Sequence, residues 1–379
     1  MRARNILLAL LIIIVGLAIT AARQGAFARW SQPIRDLVGT IDSVAGEGFD
    51  GGSWREVDRI SRRVPMARAT SLTIENPNGA VSVVGQQQDF VQIEAVRYGR
   101  GVDAERAKAQ ARSLTLETSR ADDALTMRVA RPGGAPPAGR SRRDARMDIQ
   151  VTAPADLDLT VESASGSVRV QGMAKAVNAL TASGDIAITD VGEGGAPPAG
   201  GAPPATRIAT ASGDVKLRRI AGPVEGRVVS GTLIMEDVAG EVKVSAISGD
   251  IEARHVHSTL SASTVSGALK VQDYTGANAT FRSTSGDVEA QLSQPFAGHL
   301  SARTVSSDIS ITIPRDSGGA PPADCTVELA STSGDLRVSP PLRDEVRSRG
   351  RLSGILGAGR GRLELQSISG DLTVQESAR

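Results

Sequence analysis

A glycine returns along this chain at a nearly fixed interval, and that return limits the fold more than any other feature. The glycines are Gly166, Gly184, Gly213, Gly231, Gly249, Gly267, Gly286, Gly334 and Gly370, with Ser307 standing in once. Successive spacings are 18, 29, 18, 18, 18, 19, 21, 27 and 36. The 36 is twice 18, and Ser353-Gly354-Ile355-Leu356 reads as a worn copy inside it. The 29 contains two tandem Gly-Gly-Ala-Pro-Pro-Ala blocks at 194–205, and the 27 contains one at 318–323; a fourth stands at 133–138. Such blocks cannot join a β-ladder, because Pro lacks the donor and Gly costs entropy. They read as surface insertions between repeats, without a role of their own. A fixed period near 18 signals a repeat architecture.

The residues around each glycine alternate as a strand does. One past the Asp position stand Val168, Ile186, Val215, Leu233, Ile251, Leu269, Val288, Ile309, Leu336 and Leu372; two further on stand Val170, Ile188, Leu217, Met235, Ala253, Val271, Ala290, Ile311, Val338 and Val374. A third apolar column is Met173, Val191, Ile220, Val238, Val256 and Tyr274. A fourth, just before the motif Ser, is Val229, Ile247, Val265, Val305 and Ile368, with the same inward expectation. Aromatics are only 2% of the chain against 41 glycines, so the core is thin and regular rather than closed by bulky rings. The expected fold is all-β: a single-stranded, right-handed β-helix or β-solenoid of about 18 residues per rung, each rung holding at least two strands, with the motif Gly at a tight corner. Ten rungs at about 4.8 Å each make a rod of roughly 50 Å.

Four segments are expected. Residues 1–28 are a signal peptide or membrane anchor: Arg2 and Arg4 precede an apolar run from Ile6 to Ala22, and Ala26-Phe27-Ala28 offers a cleavage pattern. At 17 residues the run is short for spanning, which takes about 20. Residues 29–65 read as a stalk with Trp30, Trp54 and a weak helical pattern over Ser53–Arg62. Residues 66–152 form a β-rich cap with one short helix from Ala104 to Arg112, N-capped by Asp103. There Asn78-Gly79-Ala80-Val81 resembles a degenerate motif copy. Residues 153–379 carry the repeats, and the charged tail from Gln375 to Arg379 blunts the far end against edge pairing.

The strings Thr-Ala-Ser-Gly-Asp-Ile (181–186), Thr-Ala-Ser-Gly-Asp-Val (210–215), Ala-Ile-Ser-Gly-Asp-Ile (246–251), Ser-Thr-Ser-Gly-Asp-Val (283–288) and Ser-Ile-Ser-Gly-Asp-Leu (367–372) resemble a bacterial family of unknown function that carries the label "putative adhesin". The turn Ile74-Glu75-Asn76-Pro77-Asn78-Gly79 is similar to that family's opening. The resemblance spans about 70–374. It implies an exported β-solenoid with an adhesive role and carries over no catalytic residues.

Side chains that could carry chemistry are few. Asp185, Asp214, Asp250 and Asp287, continued by Asp308, Asp335 and Asp371, form a carboxylate column that is a weak candidate for metal. Each rung supplies one Gly and one Asp, too few ligands for a calcium cage. The expectation is an Asp that caps its own turn. His255 and His257 flank the inward Val256 and therefore point outward, without a third ligand. Arg140, Arg142, Arg143 and Arg146, then Arg343, Arg347, Arg349 and Arg351, are expected in solvated loops, with acidic envelope polymer as the sharper reading. Gly357-Ala358-Gly359-Arg360-Gly361 opens no helix and reads as a loop. Cys325, the single cysteine, reads as a small apolar filler. Metalloprotease, nucleophile-elbow and phosphate-loop patterns are missing. A net charge of +1 gives no case for nucleic acid.

The expectation is a non-enzymatic, extracytoplasmic protein, periplasmic or on the cell surface, without a cofactor. Its partner would be an envelope or host-surface polymer or protein, with the membrane reached through the N-terminus if that segment is retained. A self-associating scaffold and a glycan-active β-helix enzyme are the alternatives.

Overall fold

The computed structural model describes residues 53–66, 69–131, 144–192, 203–314 and 323–377. The expected export segment, most of the stalk, nearly all of the Pro/Gly blocks, and Arg140, Arg142 and Arg143 lie outside the described residues.

The N-terminal part contains β1 (Ser53–Pro65), β2 (Ser71–Asn76), β3 (Val81–Gln86), β4 (Phe90–Gly101), α1 (Ala104–Arg112), β5 (Thr115–Ala121), β6 (Ala124–Ala130) and β7 (Ala145–Pro154). Rungs follow as strand pairs: β8 (Asp158–Ser165) with β9 (Val168–Gln171), β10 (Val177–Ser183) with β11 (Ile186–Val191), β12 (Thr206–Ser212) with β13 (Val215–Ile220), and β14 (Val224–Ser230) with β15 (Leu233–Val238). They continue as β16 (Val242–Ser248) with β17 (Ile251–Val256), β18 (Leu260–Ser266) with β19 (Leu269–Tyr274), β20 (Asn278–Ser285) with β21 (Val288–Leu292), and β22 (His299–Arg303) with β23 (Ile309–Ile313). The last six strands are β24 (Cys325–Ser333), β25 (Leu336–Val338), β26 (Arg343–Ser348), β27 (Arg351–Leu356), β28 (Gly361–Ser369) and β29 (Leu372–Glu376).

The first strand of each rung lies in a 15-stranded sheet and the second in a 14-stranded sheet. Central strands pair in parallel with partners 18 residues apart, as Val224↔Val242 and Leu233↔Ile251 show. The result is a β-solenoid with its core between two faces. Three of the four apolar columns are buried as expected, down to Val191, Val238 and Val256 at 0% exposure, except that Leu336 and Val338 in the edge strand β25 are only partly covered. Each such side chain contributes about 1.5–3 kcal/mol on leaving water, which explains how a core nearly without rings holds. Tyr274 and Phe281 are the bulkiest fully buried residues. The Tyr274 hydroxyl donates to the Ser258 and Asn278 carbonyls, at 3.0 and 2.5 Å.

The fourth column turns outward instead. Val229, Ile247, Val265 and Ile368 are 43, 52, 48 and 38% exposed. Alternation stops one residue before the corner: Val228 is buried, then Val229 and Ser230 both face solvent.

Both ends depart from sequence order. At the N-terminal end β2 and β3 form an inner rung, and β6 and β7 lie outside them. There β5 and β4 add antiparallel strands, and β1 pairs with β4 from Ser53↔Gly101 to Pro65↔Phe90. Ser53–Arg62 is thus strand rather than helix: the free edge of β4 supplies a ladder, and Ile60 and Val64 pack on the core. Helix α1 forms as expected, Asp103 accepting from the Arg106 N–H at 2.6 Å. It crosses β4 at Gly99, where a Cβ would lie 1.8 Å from the Ala107 carbonyl oxygen.

At the other end the final rung, β28 and β29, slots between β22/β23 and β24/β25. The tail strand is therefore interior and does not blunt the end. That end is closed by the antiparallel hairpin β26–β27. Ser353-Gly354-Ile355-Leu356 belongs to β27 and is no rung; Gly354 lets the Leu342 side chain pass, since a Cβ there would meet it at 2.7 Å. Arg343 and Arg347 lie in β26, and Arg351 opens β27, so these are strand positions rather than loop.

Candidate functional site

The repeated motif is the obvious place to look for chemistry, and its geometry is constructional. A Cβ added at any motif glycine from Gly166 onward would lie 2.0–2.3 Å from a main-chain oxygen of the rung below: Gly184 over Gly166, Gly249 over Gly231, Gly370 over Ser307. Real contacts are never that short, so main chain sits directly on main chain. Gly79 lies in the same column, below Gly166, and a Cβ on it would lie 2.2 Å from the Met147 oxygen.

Every motif Asp except Asp335, which holds Arg337 of its own strand at 2.7 Å, also works across rungs. The Oδ1 of Asp185 accepts the Asp214 N–H at 3.0 Å, Asp214 accepts Thr232 N–H at 2.8 Å, and Asp250 accepts Ala268 N–H at 2.8 Å. Asp287, Asp308 and Asp371 repeat the pattern toward Asp308, Asp371 and Asp335. The expected cap within the same turn is corrected: the carboxylate caps the next rung's N–H, which the stacked corner leaves without a carbonyl. Asp185, Asp214, Asp250 and Asp287 are thereby occupied by main chain. Among the described residues no three of His, Cys, Asp and Glu gather as a metal site.

A buried hydroxyl also recurs under the corner, two residues before the motif Ser, at Ser163, Thr181, Thr210, Thr264, Ser283, Ser331 and Ser367, although those of Ser163, Thr181, Thr210 and Ser283 find no partner among the described residues. Thr264 donates to the Gly249 carbonyl at 3.3 Å and Ser331 to the Gly370 carbonyl at 3.0 Å. The recurrent Thr/Ser-x-Ser-Gly was its signal in the sequence.

The opposite corner of the rung is a left-handed column: Gly172, Asp190, Arg219, Asp237, His255 and Asp273 all have φ between 51° and 73°. This turn lets Val191, Val256 and their equivalents point inward. Arg219 donates to Asp190 at 2.5 Å and holds its carboxyl below the usual carboxylate range. His255 lies between Asp237 at 3.2 Å and Asp273 at 3.4 Å. His257 turns to Thr275 at 2.7 Å. The two histidines are exposed, as expected, and serve separate contacts.

Arg146 lies in β7, not in a loop, with its guanidinium 5.0 Å from the Trp54 ring and 4.6 Å from Tyr98. The loop Gly357–Gly361 wraps a carboxylate: Asp324 accepts from Ala358 N–H at 2.8 Å and from Arg360 N–H and Nε at 3.1 and 2.5 Å. These donors, led by the Arg360 N–H, hold Asp324 below the usual range. Beside it Cys325 is buried, its thiol pushed up to about 12 by desolvation, which fits an inert filler.

A concavity lies on the outer face of the 14-stranded sheet. It holds about 210 Å³ across β19, β21, β23 and β29, and Gln272, Gln291, Ser310, Thr312 and Gln375 line it.

No curated protein matches the chain. Solved structures similar to it include one from Parabacteroides distasonis ATCC 8503 described as a "putative lipid binding protein". It is 12% identical with a TM-score of 0.40, over 85% of this chain and 97% of that one. A "putative adhesin" from Bacteroides fragilis NCTC 9343 is 12% identical with a TM-score of 0.27, over 87% and 100%. A "putative cell adhesion protein" from Clostridium sporogenes ATCC 15579 is 8% identical with a TM-score of 0.20, over 85% and 100%. The Toastrack DUF4097 family model matches residues 69–375, from the strand that opens the first rung to the strand slotted in last, and the chain belongs to that family.

Proposed function

We propose that this protein is a non-enzymatic, extracytoplasmic binding rod that holds a rigid, repetitive face toward polymer or protein of the envelope or a host surface. One observation carries the reading. The repeated polar groups help to build the rod, since one oxygen of six motif carboxylates accepts a main-chain N–H of a neighbouring rung. What varies between rungs is the outward columns, and these are free to be selected for contact. Extracytoplasmic placement rests on the apolar run Ile6–Ala22 with its flanking arginines. Among the described residues no helix is long and apolar enough to cross a membrane.

End-to-end assembly has less support. Pro340-Pro341 follows β25, and every residue of β26 is exposed, with Arg343, Asp344, Glu345 and Arg347 among them. Proline and charge both discourage strand addition.

The test is retention of the full-length purified protein on isolated envelope material and on intact cells, with light scattering in parallel. A monomer that is retained supports the reading. Failure of retention on every surface tried, or concentration-dependent rods, would replace it with the scaffold. Turnover of an envelope polysaccharide would replace it with an enzyme.

A further inference from the structure

The outward columns of the 14-stranded sheet occupy equivalent positions on every rung, so the fold makes the same demand of each. Their chemistry nevertheless changes along the rod. Over the central rungs the columns are charged and paired, with Arg218–Glu236 at 2.8 Å and Arg254–Glu252 at 3.6 Å. From β19 onward one column is amide and hydroxyl, with Gln272, Gln291, Thr312 and Gln375, while the other keeps Lys270 and Glu289 before reaching Ser310. The change coincides with an irregularity. The left-handed column ends at Asp273, and the register between β19 and β21 shifts between Val271 and Tyr274. Next to that shift the short side chains of Ser310 and Thr312 leave the concavity of about 210 Å³, walled by Gln272 and Gln291 on one side and Gln375 on the other.

The donors and acceptors there fit a particular chemistry. The register places Gln291 beside Thr312 and Thr312 beside Gln375, one group per rung about 4.8 Å apart. Gln272 and Gln291 make no side-chain hydrogen bond among the described residues, and Gln375 makes only a long one, 3.4 Å to Thr312. An amide donates and accepts at once, and so does a hydroxyl. The charges present, Lys270 and Glu289, stand 3.9 Å apart and offset one another. The volume falls below the roughly 300–1,000 Å³ of sites for compact multi-ring ligands. It suits one ring of a chain that continues along the rod. A repeating ligand whose hydroxyls recur at about the rung spacing matches this ladder, and an isolated ion or an apolar molecule does not.

We infer that the notch over Ser310 and Thr312 is a binding site for a neutral, extended glycan lying parallel to the rod axis, one sugar ring per rung. The inference rests on the binding-rod reading and names the ligand class for one site on it. Aromatic platforms are absent from the notch, so affinity comes from hydrogen bonds repeated over several rungs and grows with chain length.

The test uses the full chain and two probes, the β-1,4-linked hexamers of glucose and of N-acetylglucosamine, with their monomers for comparison. Titration calorimetry, and amide shifts at residues 291, 310 and 312, report binding. At least one hexamer should bind, its monomer roughly tenfold or more weakly, as repeated hydrogen bonds predict. Ser310→Arg should fill the notch and weaken the hexamer about tenfold or more. Ser261→Arg, outward on the opposite sheet, should change nothing. Both variants should melt with the wild type, which keeps folding out of the comparison. Absence of binding by both hexamers at millimolar concentration, or binding that Ser310→Arg leaves intact, overturns the assignment. Retention on envelope material unaltered by Ser310→Arg would sink the notch and leave the binding rod standing.

Discussion

The motif glycine and the left-handed residue are two turn positions of one rung, and they tolerate substitution very differently. At the motif corner, rungs meet main chain to main chain, and a Cβ would stand 2.0–2.3 Å from an oxygen. At the left-handed position of the other corner Gly, Asp, Arg and His all serve, while three residues on, at Gly222, Gly240 and Gly276, main chain again lies on main chain. A left-handed non-glycine residue costs about 1–2 kcal/mol, which neighbouring contacts such as Arg219 to Asp190 offset. Repeated letters in this chain therefore mark where backbones touch. Variation marks where only side chains do, and that is where recognition has room.

The strongest attempt to erase the difference is Gly249→Ala. Gly249 lies outside the left-handed region, so its defect is contact alone, with a Cβ 2.0 Å from the Gly231 oxygen. The expected loss is about 3 kcal/mol or more in urea unfolding, in the range of severe backbone and overpacking defects. A loss below about 1 kcal/mol would mean that rungs spread readily. Next comes the closed end, where Asp324 is held by main-chain donors. Its folded carboxyl titrates below the unfolded value, so its stabilisation is complete above about pH 3.9 and is lost as pH falls through the lower folded value. Wild type and Asp324→Asn should thus differ in amide protection of Ala358 and Arg360 at pH 6 and converge in acid. A difference that persists in acid would assign the effect to shape.

Smaller again is Asp250→Ala, which strips the Ala268 N–H of its acceptor and should cost about 1 kcal/mol. Asp250→Asn, which keeps an acceptor, should recover most of it, and added calcium should leave the wild-type melting temperature unchanged. A calcium-dependent rise would restore a metal role to the column. The smallest effect belongs to Arg219→Gly at the permissive corner. Relief of the left-handed strain and loss of a half-exposed ion pair should cancel to within about 0.5 kcal/mol. A large loss there would erase the distinction between the corners.

Much of the rod was legible because burial repeats with the period. Val191, Val238 and Val256 could be placed inward from spacing alone, and helix 104–112 from its Asp103 cap. The exposed line Val229, Ile247 and Val265 was not legible, because an apolar letter says nothing about the bend that points two successive residues outward. Nor was the order of the end rungs: Ser353-Gly354 carries motif letters yet belongs to an antiparallel hairpin, a choice made by distant partners. The role of the motif Asp was half legible. Its capping nature follows from residue type, while its partner belongs to a rung 18 to 63 residues away in the chain. The notch could not be read at all, since short residues beside long ones become a hollow only once strands 21 and 63 residues apart lie together.

The late insertion of the last rung has a consequence for biogenesis. A ribosome delivers residues 299–313 before residues 361–376, yet the second segment pairs directly against the first. The growing rod must therefore keep a slot open, with two unsatisfied strand edges, until residues 361–376 emerge. Truncation anywhere before Gly361 leaves that slot empty, and it disconnects β24 and β25, already made, from the stack they close. The rung of residues 361–376 thus acts as a completion check. A full-length chain can seal itself, and an incomplete one exposes sticky edges of the kind that chaperones and proteases engage.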